Sequence, residues 1–113
     1  MEPKARIQSQ ECLGKGIRFS LQQDHKEIAR AFLYILTNDL HKEPFGLLED
    51  VFVQEPFRRQ GNGERIVRAV IEEARKQGCY KLICTSRHAK NEVHAFYNGF
   101  GFKNHGIEFR LDL

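Results

Sequence analysis

A glycine-containing segment between an apolar run and a helical pattern constrains this chain more than any other feature. The segment Arg58–Gly63 has the pattern R-x-x-G-x-G, follows the apolar run Leu47–Val53 and opens a helical pattern that extends from Glu64 to Gln77. A strand that ends in such a turn and feeds a helix builds an anion site, because glycine lets the backbone approach a ligand and the first helical N–H groups lack intrahelical partners. The helix dipole and the arginines add positive charge that suits phosphate. The pattern therefore indicates a ligand that carries a pyrophosphate.

Two common phosphate motifs do not fit this segment. No Gly-Lys-Ser/Thr follows it, as a P-loop requires, and position 66 is Ile where the dinucleotide pattern needs Gly. R-x-x-G-x-G after a strand resembles the coenzyme A loop of the GCN5-related N-acetyltransferases, the GNAT family. Taken alone, six residues with three fixed positions are equally compatible with an ordinary strand–turn–helix connection.

A second segment matches the same family. Residues Asn91–Phe102 follow a β-type run, Tyr80–Thr85, and read N-x-x-x-x-F-Y-x-x-x-G-F, which looks like the second signature of the GNAT family. The two signatures stand in the family order and at a family-like spacing, so together they are a specific match. The resemblance is strong over about residues 46–113 and loose over 17–45.

Composition and charge limit the remaining classes of protein. A chain of 113 residues with 41% hydrophobic residues is long enough to form one domain with a core, residues 1–113. The net charge of +3, from 18 basic and 15 acidic residues, is too small to indicate nucleic acid by itself. Cys12, Cys79 and Cys84 lack metal-type spacing, so we predict no metal and reduced thiols in a cytoplasmic protein. Neither a signal peptide nor a membrane-spanning run is predicted.

The apolar patterns predict an α/β mixed sheet with the element order β-β-β-α-β-α-β. Residues 1–16 read as a loose lead-in; the predicted strands cover residues 17–21, 28–37, 47–53, 80–85 and 107–113, and the helices cover 64–77 and a segment that starts at 91. The pattern of 28–37 alone fits helix or strand, and the short turn before it and the resemblance favour an antiparallel strand. The order is that of the acyl-CoA N-acyltransferase fold in an N-terminally abbreviated form. Sixteen residues are too few for the strand and two helices that usually roof the acceptor site, so we expect either an open acceptor side or a homodimer.

The resemblance also assigns residues to acetyl-CoA. It implies that the strand Val51–Val53 pairs with pantetheine and that the loop amides hold the pyrophosphate. The residues so assigned are Val51, Phe52, Val53, Arg58, Arg59, Gln60, Gly61, Asn62, Gly63, Glu64 and Asn91. The loop departs from the commoner family form at Arg59, which replaces glycine, and at Asn62, which replaces an apolar residue. Arg59 either adds a phosphate contact or shifts the loop by its bulk, and Asn91 either contacts the cofactor or simply caps its helix.

Tyr97, Glu49 and Asp50 are the candidate catalytic residues. Tyr97 matches the family tyrosine that protonates the departing sulfur, a suitable donor because the pKa of a phenol lies above that of a thiol; alternatively it only packs the helix. Glu49 and Asp50 are candidate bases on opposite faces of one strand, or else one faces solvent and the other is ion-paired. Their segment also looks like the strand of glucosamine-phosphate acetyltransferases, but we do not infer a sugar substrate from this likeness. His88 and His94 are weaker candidates for the base, and we favour plain exposed histidines at both positions.

These features predict an acetyl-CoA-dependent N-acetyltransferase that transfers acetyl directly to a primary amine of a small molecule or peptide. An acyl-CoA-binding regulatory protein of the same fold, without efficient transfer, is the first alternative. A small basic module that binds nucleic acid or protein is the second, and the sequence offers little for it.

Overall fold

The computed structural model describes residues 4–86 and 90–113 of the chain. Its elements are β1 (Gly14–Gln23), β2 (Lys26–Leu36), β3 (Phe45–Val53), a 3₁₀ turn (Glu55–Phe57), α1 (Asn62–Lys76), β4 (Leu82–Cys84) and α2 (Asn91–Asn98). The backbone forms two compact units, one that ends at Ile83 and one that begins at Cys84.

The first unit is built on one sheet with the strand order β1-β2-β3-β4. β2 pairs antiparallel with both β1 and β3, which confirms the strand predicted at residues 28–37. A two-residue turn joins β1 to β2, and its residues Asp24 and His25 have φ of 50° and 65°. Positive φ at both positions is the geometry of a type I′ hairpin turn, whose twist suits antiparallel strands. β1 starts at Gly14, three residues before the predicted start, because Leu13 still accepts a hydrogen bond from the Thr37 amide, at 3.2 Å.

The core lies between the sheet and α1. Leu33 of β2, Leu48 of β3 and the α1 residues Val67 and Val70 are the largest side chains fully removed from solvent. On α1 the predicted apolar stripe is confirmed, since Ile66, Val67, Val70 and Ala74 are buried and Ile71 is half-buried. Burial of each large apolar side chain contributes roughly 1.5–3 kcal/mol, so this stripe fixes where α1 begins relative to the end of β3.

Gly46 allows β4 to lie close to the start of β3. Its amide donates to the Lys81 carbonyl at 2.9 Å, and a Cβ placed on it would lie 2.9 Å from Leu82 Cδ1 and 3.1 Å from Leu33 Cδ1. Both contacts are too short for any larger residue without displacement of the core. The β3–α1–β4 crossover therefore closes at a position where glycine fits without displacing Leu33 or Leu82.

The strand predicted at residues 107–113 is wrong. No regular structure is assigned from residue 102 to the C-terminus, and Ile107, Phe109, Leu111 and Leu113 are between 63% and 115% exposed. Alternating apolar residues form a strand only where a neighbouring strand accepts their backbone hydrogen bonds. None of the four strands described in the structure pairs with this segment. Within residues 4–86 and 90–113, no helix combines the length and apolarity needed to cross a bilayer.

Candidate cofactor loop and neighbouring strand

A β-bulge interrupts β3 at the two candidate acids. Arg30 pairs with Phe52 and Phe32 pairs with Glu49, so Asp50 and Val51 together stand opposite the single residue between them on β2. Asp50 has φ of 51°, in the left-handed region. The bulge breaks the regular alternation predicted for this strand, and it leaves Asp50 exposed and Glu49 half-buried. Bulges and non-glycine residues at positive φ concentrate at functional sites, which keeps both acids as candidates.

Replacement of Asp50 tests whether the backbone of the bulge is strained at this residue. Asp50→Gly should raise the free energy of unfolding by about 1 kcal/mol, since glycine adopts positive φ without a steric penalty. Asp50→Asn should leave it nearly unchanged, because asparagine also tolerates this region. Urea unfolding measures both variants. A lower stability for Asp50→Gly than for Asp50→Asn would show that the bulge is not strained at this residue.

The second half of β3 extends past the end of β4. β3 has nine residues and β4 has three, and their pairing is anchored at Gly46 and Lys81. Strands joined by a helical crossover run parallel, and paired parallel strands advance together, so β4 ends beside Glu49 or Asp50. The residues Val51–Val53 are half-buried and lie beyond that point. In the part of the chain that the structure describes, this stretch of β3 keeps one edge without a strand partner.

The loop after β3 ends at the N-terminus of α1. Gly61 is the N-cap residue of α1 with φ of 82°, and no side chain caps the helix. The first helical backbone bond runs from the Arg65 amide to the Gly61 carbonyl, at 3.0 Å. The N–H groups that precede Arg65 in the helix therefore lack intrahelical partners. A Cβ on Gly61 would meet nothing within 4 Å, so glycine is favoured here by its φ and not by lack of space.

Arg59 also adopts positive φ, at 62°. The commoner family loop carries glycine at this position, and the backbone angle explains why glycine is favoured there. The Arg59 side chain is exposed, so its guanidinium is accessible from solvent. The sequence left two interpretations of Arg59. The observed angle disfavours the one in which its bulk shifts the loop, because the residue keeps the φ that glycine would adopt.

Three side chains of the loop donate hydrogen bonds to backbone carbonyls of the preceding residues. Arg58 Nε donates to the Val53 oxygen at 2.8 Å, Gln60 Nε2 to the Pro56 oxygen at 3.1 Å, and Asn62 Nδ2 to the Phe57 oxygen at 2.9 Å. The Arg58 guanidinium also lies 5.3 Å from the centre of the Phe52 ring. Arg58 is thus held against the strand, an arrangement that the R-x-x-G-x-G pattern did not predict. The sequence showed that Asn62 replaces the apolar residue of the commoner family loop, but only the structure shows its hydrogen bond to the Phe57 carbonyl.

The second unit contains α2 and the other predicted site residues. Asn91 is the first residue of α2 and is exposed, while Lys90 is the N-cap and makes no side-chain cap bond, so the prediction of Asn91 as the cap is wrong. The helix turns one residue earlier than the asparagine pattern suggested, which moves the Asn91 side chain out of the capping position. Its predicted contact with the cofactor stays a prediction.

Tyr97 sits in an aromatic cluster within the second unit. Its ring centre lies 5.4 Å from that of Phe96 and 5.6 Å from that of Phe102, both in edge-to-face geometry. Val93, Phe96 and Tyr97 are half-buried residues of α2, whereas Phe100, which is also half-buried, lies after the helix ends at Asn98. The cluster fixes the ring of Tyr97. These contacts are compatible with both interpretations of the residue, as a proton donor through its hydroxyl and as a packing residue. His94 is half-buried, and His88 lies outside the described residues.

The cysteines and the possible metal ligands of the described residues were the remaining candidates for chemistry. Burial raises the pKa of the Cys79 thiol, which keeps this thiol protonated and a poor nucleophile at neutral pH. Cys12 is exposed and Cys84 is half-buried. Among residues 4–86 and 90–113, no group of three or more His, Cys, Asp or Glu side chains is arranged to hold a metal ion.

Comparison with known proteins adds a family and several relatives. The model of the acetyltransferase (GNAT) family matches residues 6–102. Glucosamine 6-phosphate N-acetyltransferase 1 of Oryza sativa subsp. japonica is 41% identical over 68 residues, which are 58% of this chain and 38% of that enzyme. The chain spans less than half the length of the curated relatives it matches.

Solved structures show the same architecture. An acetyltransferase of Trypanosoma brucei superposes with a TM-score of 0.77 at 30% identity, over 87% of this chain and 69% of that one. Glucosamine-6-phosphate N-acetyltransferase of Arabidopsis thaliana superposes with a TM-score of 0.77 at 25% identity, over 86% of this chain and 66% of that one.

Proposed function

This chain belongs to the GNAT acetyltransferase family, and on that premise we propose that it is an N-acetyltransferase that uses acetyl-CoA. The observation that carries the proposal is the glycine-capped start of α1, where the first helical N–H groups lack intrahelical partners and the loop before them carries two arginines. A pyrophosphate suits this arrangement in charge and in hydrogen-bonding capacity, since it presents acceptors to the backbone N–H and guanidinium donors. The loop residues from Arg59 to Glu64 would hold it.

The thioester arm of acetyl-CoA would run along the free edge of β3. Its pantetheine contains two amides, and an edge strand offers matching backbone donors and acceptors at Val51–Val53. The bulge at Asp50 is consistent with this placement, because the β2–β3 register shifts there and the pairing resumes at Phe52, within the stretch that the arm would follow. The loop and the strand are consecutive in the chain, so both halves of one cofactor could be held by residues 51–64.

The chemistry requires two proton transfers, one at each end of the reaction. The amine nitrogen of the acceptor attacks the thioester carbonyl carbon, the C–N bond forms, and the C–S bond breaks. The attacking nitrogen loses a proton to a base, for which Glu49 and Asp50 are the candidates, and the departing thiolate takes a proton from the Tyr97 hydroxyl. Water returns the proton to Tyr97 after the products leave.

The acceptor is a primary amine on a small molecule or peptide. Two adjacent acids on β3 suit a cationic ammonium group and a polar substrate, which is consistent with amino sugars as well as with other amines. The relatives from rice and Arabidopsis are named for glucosamine 6-phosphate, so this compound belongs in the first panel of substrates.

Binding of acetyl-CoA is the first expected result. Ligand at one hundred times its dissociation constant should stabilise the folded chain by about 2.7 kcal/mol, since it binds only the folded state. A thermal-shift titration with acetyl-CoA and CoA measures this as a raised melting temperature. No shift at millimolar concentrations would contradict the proposal. A release of free thiol with an amine panel then separates an enzyme from a regulatory protein that binds acyl-CoA without transfer.

We further propose that the protein is a homodimer. Among the described residues, β1 is a ten-residue strand at one edge of the four-stranded sheet, and an unpaired edge of that length favours association. The segment 107–113 exposes apolar side chains at alternate positions, the pattern of a strand that acquires its partner from a second subunit. The charges of Glu108, Arg110 and Asp112 oppose this mildly, because charged strands resist pairing.

Light scattering should therefore give twice the 13.2 kDa mass of the chain at micromolar concentration. Leu111→Glu should shift the mass toward the monomer, because it places a charge in the apolar alternation of the segment. Glu108→Gln, on the other alternation of the same segment, is the control that should leave the dimer intact. A monomeric mass for the unmodified protein, unchanged by acetyl-CoA, would exclude the dimer.

A further inference from the structure

We propose that Asn62 is a positioning residue that fixes the shape of the loop Arg58–Gly63 for pyrophosphate, a role that rests on the proposed acetyl-CoA site. Asn62 is 8% exposed and is the one buried polar residue among those that the structure describes. Its Nδ2 donates to the Phe57 carbonyl at 2.9 Å. The side chain is directed back toward the preceding turn, so it acts on the ligand only through the loop.

Burial of this amide needs a reason, because the commoner family loop carries an apolar residue here. An amide taken out of water costs free energy unless its hydrogen bonds are replaced, whereas an apolar side chain of similar size has no such cost. The replacement bond joins the last residue of the 3₁₀ turn to the first residue of α1. Asn62 therefore links the two ends of the segment that reverses the chain.

The residues between these ends adopt angles that need such a link. Arg59 and Gly61 both have positive φ, at 62° and 82°, so the reversal uses the left-handed region twice within three residues. A non-glycine residue stays in that region only where its surroundings hold it there. The Asn62 bond to Phe57 and the Gln60 bond to the Pro56 oxygen supply that support from both sides of Arg59.

The same two bonds also change the electrostatics of the loop. A carbonyl oxygen directed at an anion repels it, and the oxygens of Pro56 and Phe57 both accept side-chain amide donors. Their partial negative charge is thereby partly neutralised by the donor hydrogens. Asn62 thus acts on the loop in two ways: it holds the positive-φ backbone and it occupies the carbonyl oxygen of Phe57, the residue directly before the loop.

The test compares a ligand that contains pyrophosphate with one that does not. Asn62→Leu keeps the branched shape of the side chain and removes the amide, and it should raise the dissociation constant of CoA about tenfold to a hundredfold, the scale of a small misplacement in a preorganised site. The dissociation constant of pantetheine, which carries the thiol arm alone, should stay within about twofold by NMR titration. Glu72→Gln removes an ion pair with Arg75 near the far end of the same helix and should change neither value.

A purely structural role for Asn62 predicts a different pattern. In that case Asn62→Leu would weaken the binding of CoA and of pantetheine alike, or it would lower the melting temperature with no change in CoA affinity. Either result would overturn the inference. Wild-type protein that fails to bind CoA would overturn the proposed function as well, whereas wild-type binding that Asn62→Leu retains would overturn the role of Asn62 alone. Circular dichroism checks that Asn62→Leu is folded, and Asn62→Ala serves as a second variant that lacks the amide.

The unmodified protein provides a test that no folding defect can obscure. The side-chain amide of Asn62 gives its own pair of NMR signals. When CoA is added, these signals should shift, and the amide hydrogens should exchange more slowly with solvent. Pantetheine should leave them unchanged. A response to pantetheine as large as that to CoA, or no response to CoA that binds, would overturn the inference.

Discussion

Tyr97→Phe is expected to slow acetyl transfer roughly 10²–10⁴-fold while the affinity for acetyl-CoA stays nearly unchanged. The substitution removes one hydroxyl and keeps the ring, whose edge-to-face contacts with Phe96 and Phe102 hold the end of α2. A proton donor acts in the transition state, so its loss lowers kcat more than it raises KM. Steady-state kinetics with the best amine of the panel measure both constants.

Phe102→Leu is the matched control for this prediction. It removes one ring from the same cluster and keeps the Tyr97 hydroxyl, so it should reduce stability while the transfer rate per folded molecule changes little. If Tyr97→Phe retained full turnover, Tyr97 would be a packing residue of α2. If both variants lost activity equally, the loss would come from the cluster and not from the hydroxyl.

The sequence predicted the first unit of the fold well, because its signals are local. The apolar stripe of α1 arises from burial on one face and was confirmed, and the strand predicted at 28–37, which its pattern alone did not distinguish from a helix, is β2. The turn chemistry was also local, since Gly61 at φ of 82° is where the pattern required glycine. These features need no knowledge of distant contacts.

Predictions that depended on partners were less accurate. The segment 107–113 alternates as a strand does, but no strand described in the structure pairs with it, and alternation alone does not specify a neighbour. The bulge at Asp50 was missed because an extra residue in one strand is visible only in the register with the other. Arg58 carried a clear signal for phosphate, yet its Nε binds the Val53 carbonyl, a contact that depends on the backbone of the loop.

Gly61→Asp is expected to remove the thermal shift produced by acetyl-CoA, through a loss of about a hundredfold or more in affinity. The new carboxylate would stand at the N-cap of α1, where the proposed pyrophosphate binds, and two like charges at about 4 Å repel by roughly 4 kcal/mol at an effective dielectric constant of about 20. Lack of space is not the cause, since a Cβ at Gly61 would meet nothing within 4 Å.

Gly61→Asn separates the effect of charge from that of the backbone. Asparagine and aspartate have the same shape and both tolerate positive φ better than other side chains, so the two variants carry a similar strain at φ of 82°. Any difference between their affinities for CoA therefore reports the charge, and it should shrink as salt is raised because the site is open to solvent. Titration calorimetry at low and high salt measures this difference. Equal affinities for the two variants would mean that no anion binds at the start of α1, and the assignment of the loop to pyrophosphate would have to be abandoned.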